Sequence, residues 1–406
     1  MKTTMVIPSY WARESAVGAK AADAVYDHPT PLDQEGTLGK VLESLGILKE
    51  KDFELVVIAV ANTEDIEARV EKKVSHIISS APSHVRMHLF SHSHLKRIHE
   101  AMEESGGEGF INLLKLRGYS NIRNLCLFLP HLLSSDTAVL IDDDEVFEDP
   151  AFMGKAREFI GRDLDAGFVG AVAGYYLQPD GDWHVGRDKE PWMEHWDKLE
   201  RMNEAFEKII GSGPRLKETP FVFGGNMVVH KEVFTRIPFD PIVTRGEDID
   251  FLINIKMFGY KFFLDNTLSI KHLPPSKSHP VWKQLREDIY RFVRERAKLR
   301  DQEPEKDMIR VSVEELEPYP GAFLGDDLED KTERACRVLA DHYRAQGCEA
   351  DAKEALKNIE ISRGQAVPEK NAFHQLLRIK RLWEEMMHFT AQEDIRERLR
   401  PLFASS

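Results

Sequence analysis

The sequence predicts an α/β protein, with a mainly parallel sheet flanked by helices and a helical C-terminal extension. Three observations predict it. Over residues 1–280, short apolar runs alternate with amphipathic stretches of helical length, the pattern of strands joined by crossover helices. The run "FELVVIAVAN" is continuously apolar, as expected for a strand buried on both faces. From Val281 the pattern becomes charged and almost wholly helical.

The elements follow in order. "TMVIPSY" reads as the opening strand. "TLGKVLESLGIL" sets Leu38, Val41, Leu42 and Leu45 at helical spacing. "FELVVIAVAN" is the second strand, with Asn62 at its end, and "VRMHLFSH" the third. "IRNLCLFLPHLL" is helical up to Pro130, and "TAVLI" is the fourth strand. Asp149-Pro150 reads as a capping acid and a first-turn proline opening another helix. "TPFVFGGNMVVHKEVF" reads as a strand running into Gly224-Gly225-Asn226, then a second apolar run. "TRGEDIDFLINIKMFGY" is a helix that begins after Gly246 and ends at Gly259. "YKFFLDNTLSIKHLPP" reads as strand, turn and strand leading to His272. Beyond it come a charged helix from Val281, a Pro/Gly-bearing linker over Glu314 to Asp327, and helices to Phe403 broken near Gly364 and Pro368. The organisation predicted is a first domain over 1–280 and a helical region over 281–406. The latter carries no chemical motif and reads as a packing or homo-oligomerisation element.

Composition narrows the function. Of 406 residues, 42% are hydrophobic and 31% charged, the balance of a soluble globular protein. A net charge of −14 argues against binding nucleic acid. An anionic substrate would need a local cation, either Arg/Lys or a metal. The longest unbroken apolar run, Leu55 to Ala61, is far too short to span a membrane. Met1-Lys2 leads straight into the first strand, so no leader is read. Cys126, Cys336 and Cys348 have neither metal-ligand spacing nor an even count, and read as free thiols in a reducing cytoplasm.

The fourth strand ends in Asp142, Asp143 and Asp144. Adjacent carboxylates raise one another's pKa unless a cation or several donors hold them ionised. Mg²⁺ and Mn²⁺ take oxygen ligands from one or two protein carboxylates plus substrate phosphates, so an Asp-x-Asp at a strand end suits a metal gripping a diphosphate. A polar turn would have the same composition. Gly224 and Gly225 allow close backbone approach to a ligand, or simply a tight turn. Glu247 and Asp248 open a helix, where acids are favourable in any protein, and one of them could equally be a general base. His272 lies just past a strand end, where it could supply an imidazole to the same metal. In "GYYLQPDGDWHVGRDKEPWMEHWDKL", Trp183 and Trp192 stand among polar residues, as a sugar-binding loop or as a loop folded over its own aromatic cluster. His84, His88, His92, His94 and His99 read as solvent-facing near the donor pocket, not as a zinc site.

In this order the pieces resemble a GT-A (Rossmann-like) nucleotide-sugar glycosyltransferase, closest in motif style to glycosyltransferase family 2. "MVIPSY", "GYSNIRNLCLFLP", "LIDDDE", "FGGNMVVHKEVF", "GEDIDFLINIKMFGYKFF" and "IKHL" carry the resemblance. It implies a Mg²⁺- or Mn²⁺-dependent hexosyltransferase that moves a sugar from a nucleoside-diphosphate sugar to a carbohydrate or other hydroxyl acceptor; configuration inverts if Asp248 acts from the far side of the anomeric carbon, and a retaining route applies if no carboxylate can reach. Asp144, in the DxD motif, and His272 would hold the metal or diphosphate. Pro8, Tyr10, Asn62, Arg123, Asp142, Asp143, Gly224 and Gly225 would line the donor site. Asp248, or Glu247 beside it, would deprotonate the acceptor, and Trp183 and Trp192 would bind it. Two departures stand out: about twenty extra residues after the first strand, and "ANTED" where the family commonly has an acid pair. A nucleotidyltransferase is the nearest alternative, but "IPSYWARES" lacks the Gly-rich basic loop it needs. A non-catalytic nucleotide-sugar-binding protein is the other.

Overall fold

A computed structural model describes residues 1–15, 26–27, 29–82, 84–186, 189–273 and 279–404. Much of the insertion after the first strand, and Pro274 and Pro275 after His272, lie outside the described residues. Strand β1 is Thr3–Ala12, with β2 (Thr30–Pro31) beside its end. Helix α1 (Leu38–Ser44) leads to β3 (Glu54–Ala61), and α2 (Glu67–Ser80) to β4 (Arg86–Phe90). Helices α3 (His92–Glu103) and α4 (Tyr119–Leu132) precede β5 (Thr137–Ile141) and β6 (Glu145–Val146). Then come α5 (Phe152–Glu158), β7 (Asp163–Leu164), β8 (Gly167–Leu177), α6 (Lys198–Ile209), β9 (Leu216–Glu218), β10 (Asn226–His230), α7 (Lys231–Phe234), α8 (Glu247–Met257) and β11 (Lys261–His272). The C-terminal helices are α9 (Val281–Asp301), α10 (Leu328–Ala345), α11 (Glu349–Arg363), α12 (Ala372–Ala391) and α13 (Glu393–Leu399).

The sheet runs in the order β4-β3-β1-β5-β10-β8-β11-β6. β4, β3, β1 and β5 are parallel to one another, and β8 is parallel to β11. β10 is antiparallel to both β5 and β8, and β6 to β11. Successive side chains of the parallel strands enter opposite layers, as a period of two requires. Met5 and Ile7, Leu55 and Val57, and Val139 and Ile141 pack with residues of α1, α2 and α5. Val6, Val56, Ile58, Ala138 and Leu140 pack in the other layer, with α3, α4 and α8. This is why the apolar runs are unbroken. The α/β class, the mainly parallel sheet and the helical C-terminal extension expected from the sequence are all present.

Apolar residues of α9 to α13 share that second layer, among them Ile289, Phe292, Leu339 and Trp383. Trp383 Nε1 donates to the Phe234 carbonyl (2.8 Å), so α12 is fastened to the end of α7. No described helix is long and apolar enough to cross a membrane.

Four local readings need correction. Helix α4 runs through Pro130 to Leu132: the proline falls in the last turn, so the i→i−4 bond it removes lies at the helix end and the helix stops two residues later. Helix α5 starts at Phe152, not Pro150: Asp149 accepts a hydrogen bond from the Ala151 N–H (2.9 Å) and forms a turn first. Residues 219–224 form no strand, and pairing starts only at Asn226, opposite Ile141. β11 is one strand, not two, with an irregularity between Leu264 and Ser269 in its pairing to β8.

Candidate active site

Strand β5 is buried along its whole length, and the chain leaves the sheet at Asp142. From α4, the buried Arg123 guanidinium meets both carboxylate oxygens of Asp142, at 2.7 and 3.0 Å. Its Nε donates to Glu247 Oε1 on α8, at 3.2 Å. One planar fork thus ties three elements together at the carboxyl end of the sheet. The Asp142 N–H donates to Glu145 Oε2 (3.0 Å), which closes the acidic turn on itself.

The three aspartates have different surroundings. Asp143 turns toward β1, where Ser9 Oγ donates to it (2.6 Å) and Trp11 Nε1 donates in turn to Ser9 (2.9 Å). Burial, reinforced by the charge of Asp144, pushes Asp143 up to about 8. Asp144 faces the other way, with Oδ2 3.3 Å from His272 Nε2 and both side chains about one-fifth exposed. The backbone sets this pairing: Glu145 is opposite His272 in the β6–β11 ladder, and the Leu273 N–H donates to the Asp144 carbonyl (2.7 Å). Tyr176, at the end of β8, stacks on the His272 ring (centroids 5.1 Å apart). Its hydroxyl accepts from the Gly225 N–H (2.7 Å).

Gly224 and Gly225 are required by proximity. A Cβ on Gly224 would stand 2.8 Å from Arg123 Nη2. One on Gly225 would stand 2.6 Å from Asp142 Oδ2 and closer still to Glu145 Oε1. The turn before β10 therefore lies directly on the acidic cluster.

The ends of β1 and β3 form the neighbouring wall. Pro8 pairs with Ile58, and Tyr10 with Val60. The Tyr10 ring packs against Tyr26 and Tyr119, with centroids 4.5 and 5.5 Å away. Asn62 donates its N–H to the Trp11 carbonyl (2.8 Å). Tyr10 Oη and Asn62 Oδ1 are both buried without a hydrogen-bond partner.

On α8, Glu247 and Asp248 diverge. Glu247 is buried against Arg123, and desolvation raises it to about 7 despite that cation and with the help of Asp248. Asp248 is partly exposed and is not held by Arg123; burial raises its pKa, with Arg291 the main opposing charge. Asp250, one residue pair further on, is sealed against Lys298 and Asn254.

The aromatic loop is placed differently from the acids. Trp183 stacks on His184 (3.9 Å), while Trp192 is only 9% exposed, so its ring is core and not an open platform. Trp196, not Trp192, lines a cavity of about 1130 Å³ with Lys189, Glu194, Glu200 and Asn203. Of the five histidines expected to face solvent only His92 is exposed: His88 is buried and bonded to Glu54 (2.9 Å), and His84, His94 and His99 are half-buried.

Among the described residues, no group of three or more His, Cys, Asp or Glu is arranged to hold a metal alone. Asp144 and His272 fit a shared site: a carboxylate and an imidazole facing each other, with coordination left to be completed by phosphate oxygens. Sequence reasoning missed Ser9, Glu145 and Arg291. It noticed Tyr176 only as part of an aromatic loop.

Comparison with known proteins gives fold-level likenesses. No protein-family model and no curated protein matches the chain. Among solved structures, the mannosyltransferase PcManGT from Pyrobaculum calidifontis, in complex with GDP-Man and Mn²⁺, is 14% identical; the match covers 97% of this chain and 87% of that one at a TM-score of 0.48. GalNAc-T7 with UDP, GalNAc and Mn²⁺ is 12% identical over 84% of this chain and 58% of that one, at a TM-score of 0.35. A mycobacterial protein is 17% identical over 72% and 74%, at 0.36. Superpositions this loose carry no activity across to this chain.

Proposed function

We propose that the chain is a divalent-metal-dependent glycosyltransferase, moving a sugar from a nucleoside-diphosphate sugar to a hydroxyl acceptor with inversion. The observation that carries this reading is the meeting of Asp144 with His272 beside the Arg123–Asp142 clamp, at the carboxyl ends of the strands where α/β sheets bind ligands. The mixed sheet is the architecture that the GT-A resemblance implies.

Asp144 and His272 would hold Mg²⁺ or Mn²⁺, which supplies Lewis-acid charge for the leaving diphosphate. The other steps belong to the protein. Tyr10 and Asn62 offer an unpartnered hydroxyl and carbonyl to the nucleoside side of the donor. Gly224 and Gly225 let the backbone come up to the acids without a side chain intervening. Arg123 fixes Asp142 and Glu247, so neither carboxylate drifts onto the donor. Asp248, free of that clamp and partly open to solvent, accepts the acceptor's proton as the new bond forms. Glu247, buried and already engaged, is the lesser candidate. Acceptor binding falls to the loop around Trp183, while the buried Trp192 contributes only to the packing of that loop.

The test is thermal shift with UDP and GDP, with and without Mn²⁺, followed by turnover of a nucleotide-sugar panel. A nucleoside diphosphate raises Tm only when Mn²⁺ is present. Asp144→Ala loses that response while its unliganded stability changes by less than about 1 kcal/mol, as expected for a partly exposed side chain. Equal stabilisation of both proteins in EDTA would overturn the assignment.

A further inference from the structure

The mechanism above leaves unexplained why a helix of the C-terminal region buries charge behind α8. Arg291, on α9, is 6% exposed. Gly246 caps α8 at φ +67°, a conformation that favours glycine, and a Cβ there would run into Arg291 Nη1 and Cδ and lie 2.8 Å from Cζ. The guanidinium is therefore laid against the turn that delivers Asp248. Its far side is fixed: Nη2 donates to Tyr319 Oη (2.7 Å), and the Phe292 ring lies 4.2 Å from Cζ. Nε has no hydrogen-bond partner and stands 3.7 Å from Glu295 Oε1. Glu295 is fully buried, with both oxygens unbonded. On its own helix Arg291 also faces Asp288, whose Oδ1 stands 3.7 Å from Nη2, so two carboxylates of α9 share the guanidinium that packs on the Gly246 turn.

We infer that Arg291, held by Tyr319, is a positioning residue supplied by the C-terminal region: it braces the Gly246 turn and with it the first turn of α8, which carries Asp248. The inference rests on the proposed transferase reading only for the consequence in turnover; the brace itself stands on the contact between Arg291 and the Gly246 turn. The charged and titratable groups that act on Asp248 are Arg291 and Glu295 from α9, Tyr319 from the linker, Arg123 from α4 and Glu247 on its own helix. Arg291 is the dominant cation among them.

Two readouts test this on the full chain. The first is labelling of Asp248 by a water-soluble carbodiimide across pH, read by peptide mass spectrometry, with Asp248→Asn as the blank. The carboxyl oxygen adds to the carbodiimide carbon as the carboxyl proton passes to its nitrogen, so the midpoint reports ionisation whether or not the protein turns over. In Arg291→Met the midpoint moves to higher pH, in Tyr319→Phe it moves the same way by less, and in Arg291→Lys it stays near wild type. Coincident midpoints in all four proteins would overturn the inference. If Arg291→Met does not fold, Tyr319→Phe decides alone, and a wild-type midpoint there has the same consequence. The second readout is transfer. Arg291→Met lowers kcat by about 10²-fold, the scale of general-base loss, with donor KM moving less than about threefold, and Arg291→Lys recovers most of kcat. A fall in donor affinity with unchanged kcat would also refute it. Should wild type turn over no donor, the transferase reading fails while the labelling result still decides the role of Arg291; should wild type and Asp248→Asn turn over donor equally, only the role of Asp248 as base fails.

Discussion

Replacing Arg123 with methionine tests the clamp directly. The guanidinium makes three hydrogen bonds, at 2.7, 3.0 and 3.2 Å, to two carboxylates on different elements, and is itself almost fully buried. Removing one partner of a buried ion pair costs about 3–5 kcal/mol, because the remaining charge is left uncompensated. At roughly 2 °C per kcal/mol for a chain at the large end of the scale, Tm falls by about 6–10 °C. The loss depends on pH with a definite sign. Glu247 has a folded pKa of about 7, above its ordinary value, so its contribution to stability is present in full below pH 4.5 and is lost as pH rises through 7. Without Arg123 the charged form is opposed further, so the destabilisation of Arg123→Met is larger at pH 8 than at pH 5.5. Calorimetry or denaturant unfolding at the two pH values measures it, with Glu247→Gln in the same background expected to abolish most of the pH difference. A loss below about 1 kcal/mol, or one identical at both pH values, refutes the reasoning.

Two further substitutions follow from the same cluster. Gly225→Ala drives a methyl into Glu145 and Asp142 and should cost about 1–3 kcal/mol while weakening Mn²⁺-dependent nucleotide binding, read together by thermal shift. Tyr176→Phe leaves the Gly225 N–H without its acceptor, a loss of about 1–3 kcal/mol by denaturant unfolding; an unchanged midpoint would mean that water replaces the hydroxyl.

Much of this was legible in the sequence for identifiable reasons. Strands buried on both faces leave unbroken apolar runs, so β3 and β5 could be read directly. The acids after Ile141 stood out because a strand end and a charge run coincide there. What could not be read was pairing across the sheet. Asp144 meets His272 through a β6 ladder only two residues long, which leaves no periodic trace. Ser9 looked like any polar residue in a strand until β1 and β5 were seen side by side. Arg291 and Glu295 were two of many charged residues on what the sequence shows only as a charged helix; packing alone shows that both are buried. Trp192 illustrates the converse, an aromatic among polar neighbours that the fold draws into the core.

The reversed direction of β10 has a consequence for how this chain tolerates change. Because Asn226 sits opposite Ile141 and His230 opposite Thr137, the strand enters at the ligand rim and exits at the opposite one. Lengthening the chain just upstream of Asn226 would push new backbone onto the acids. The same insertion downstream of His230 would emerge on the remote side of the molecule, where its cost falls on the junction with α7 and not on the acids.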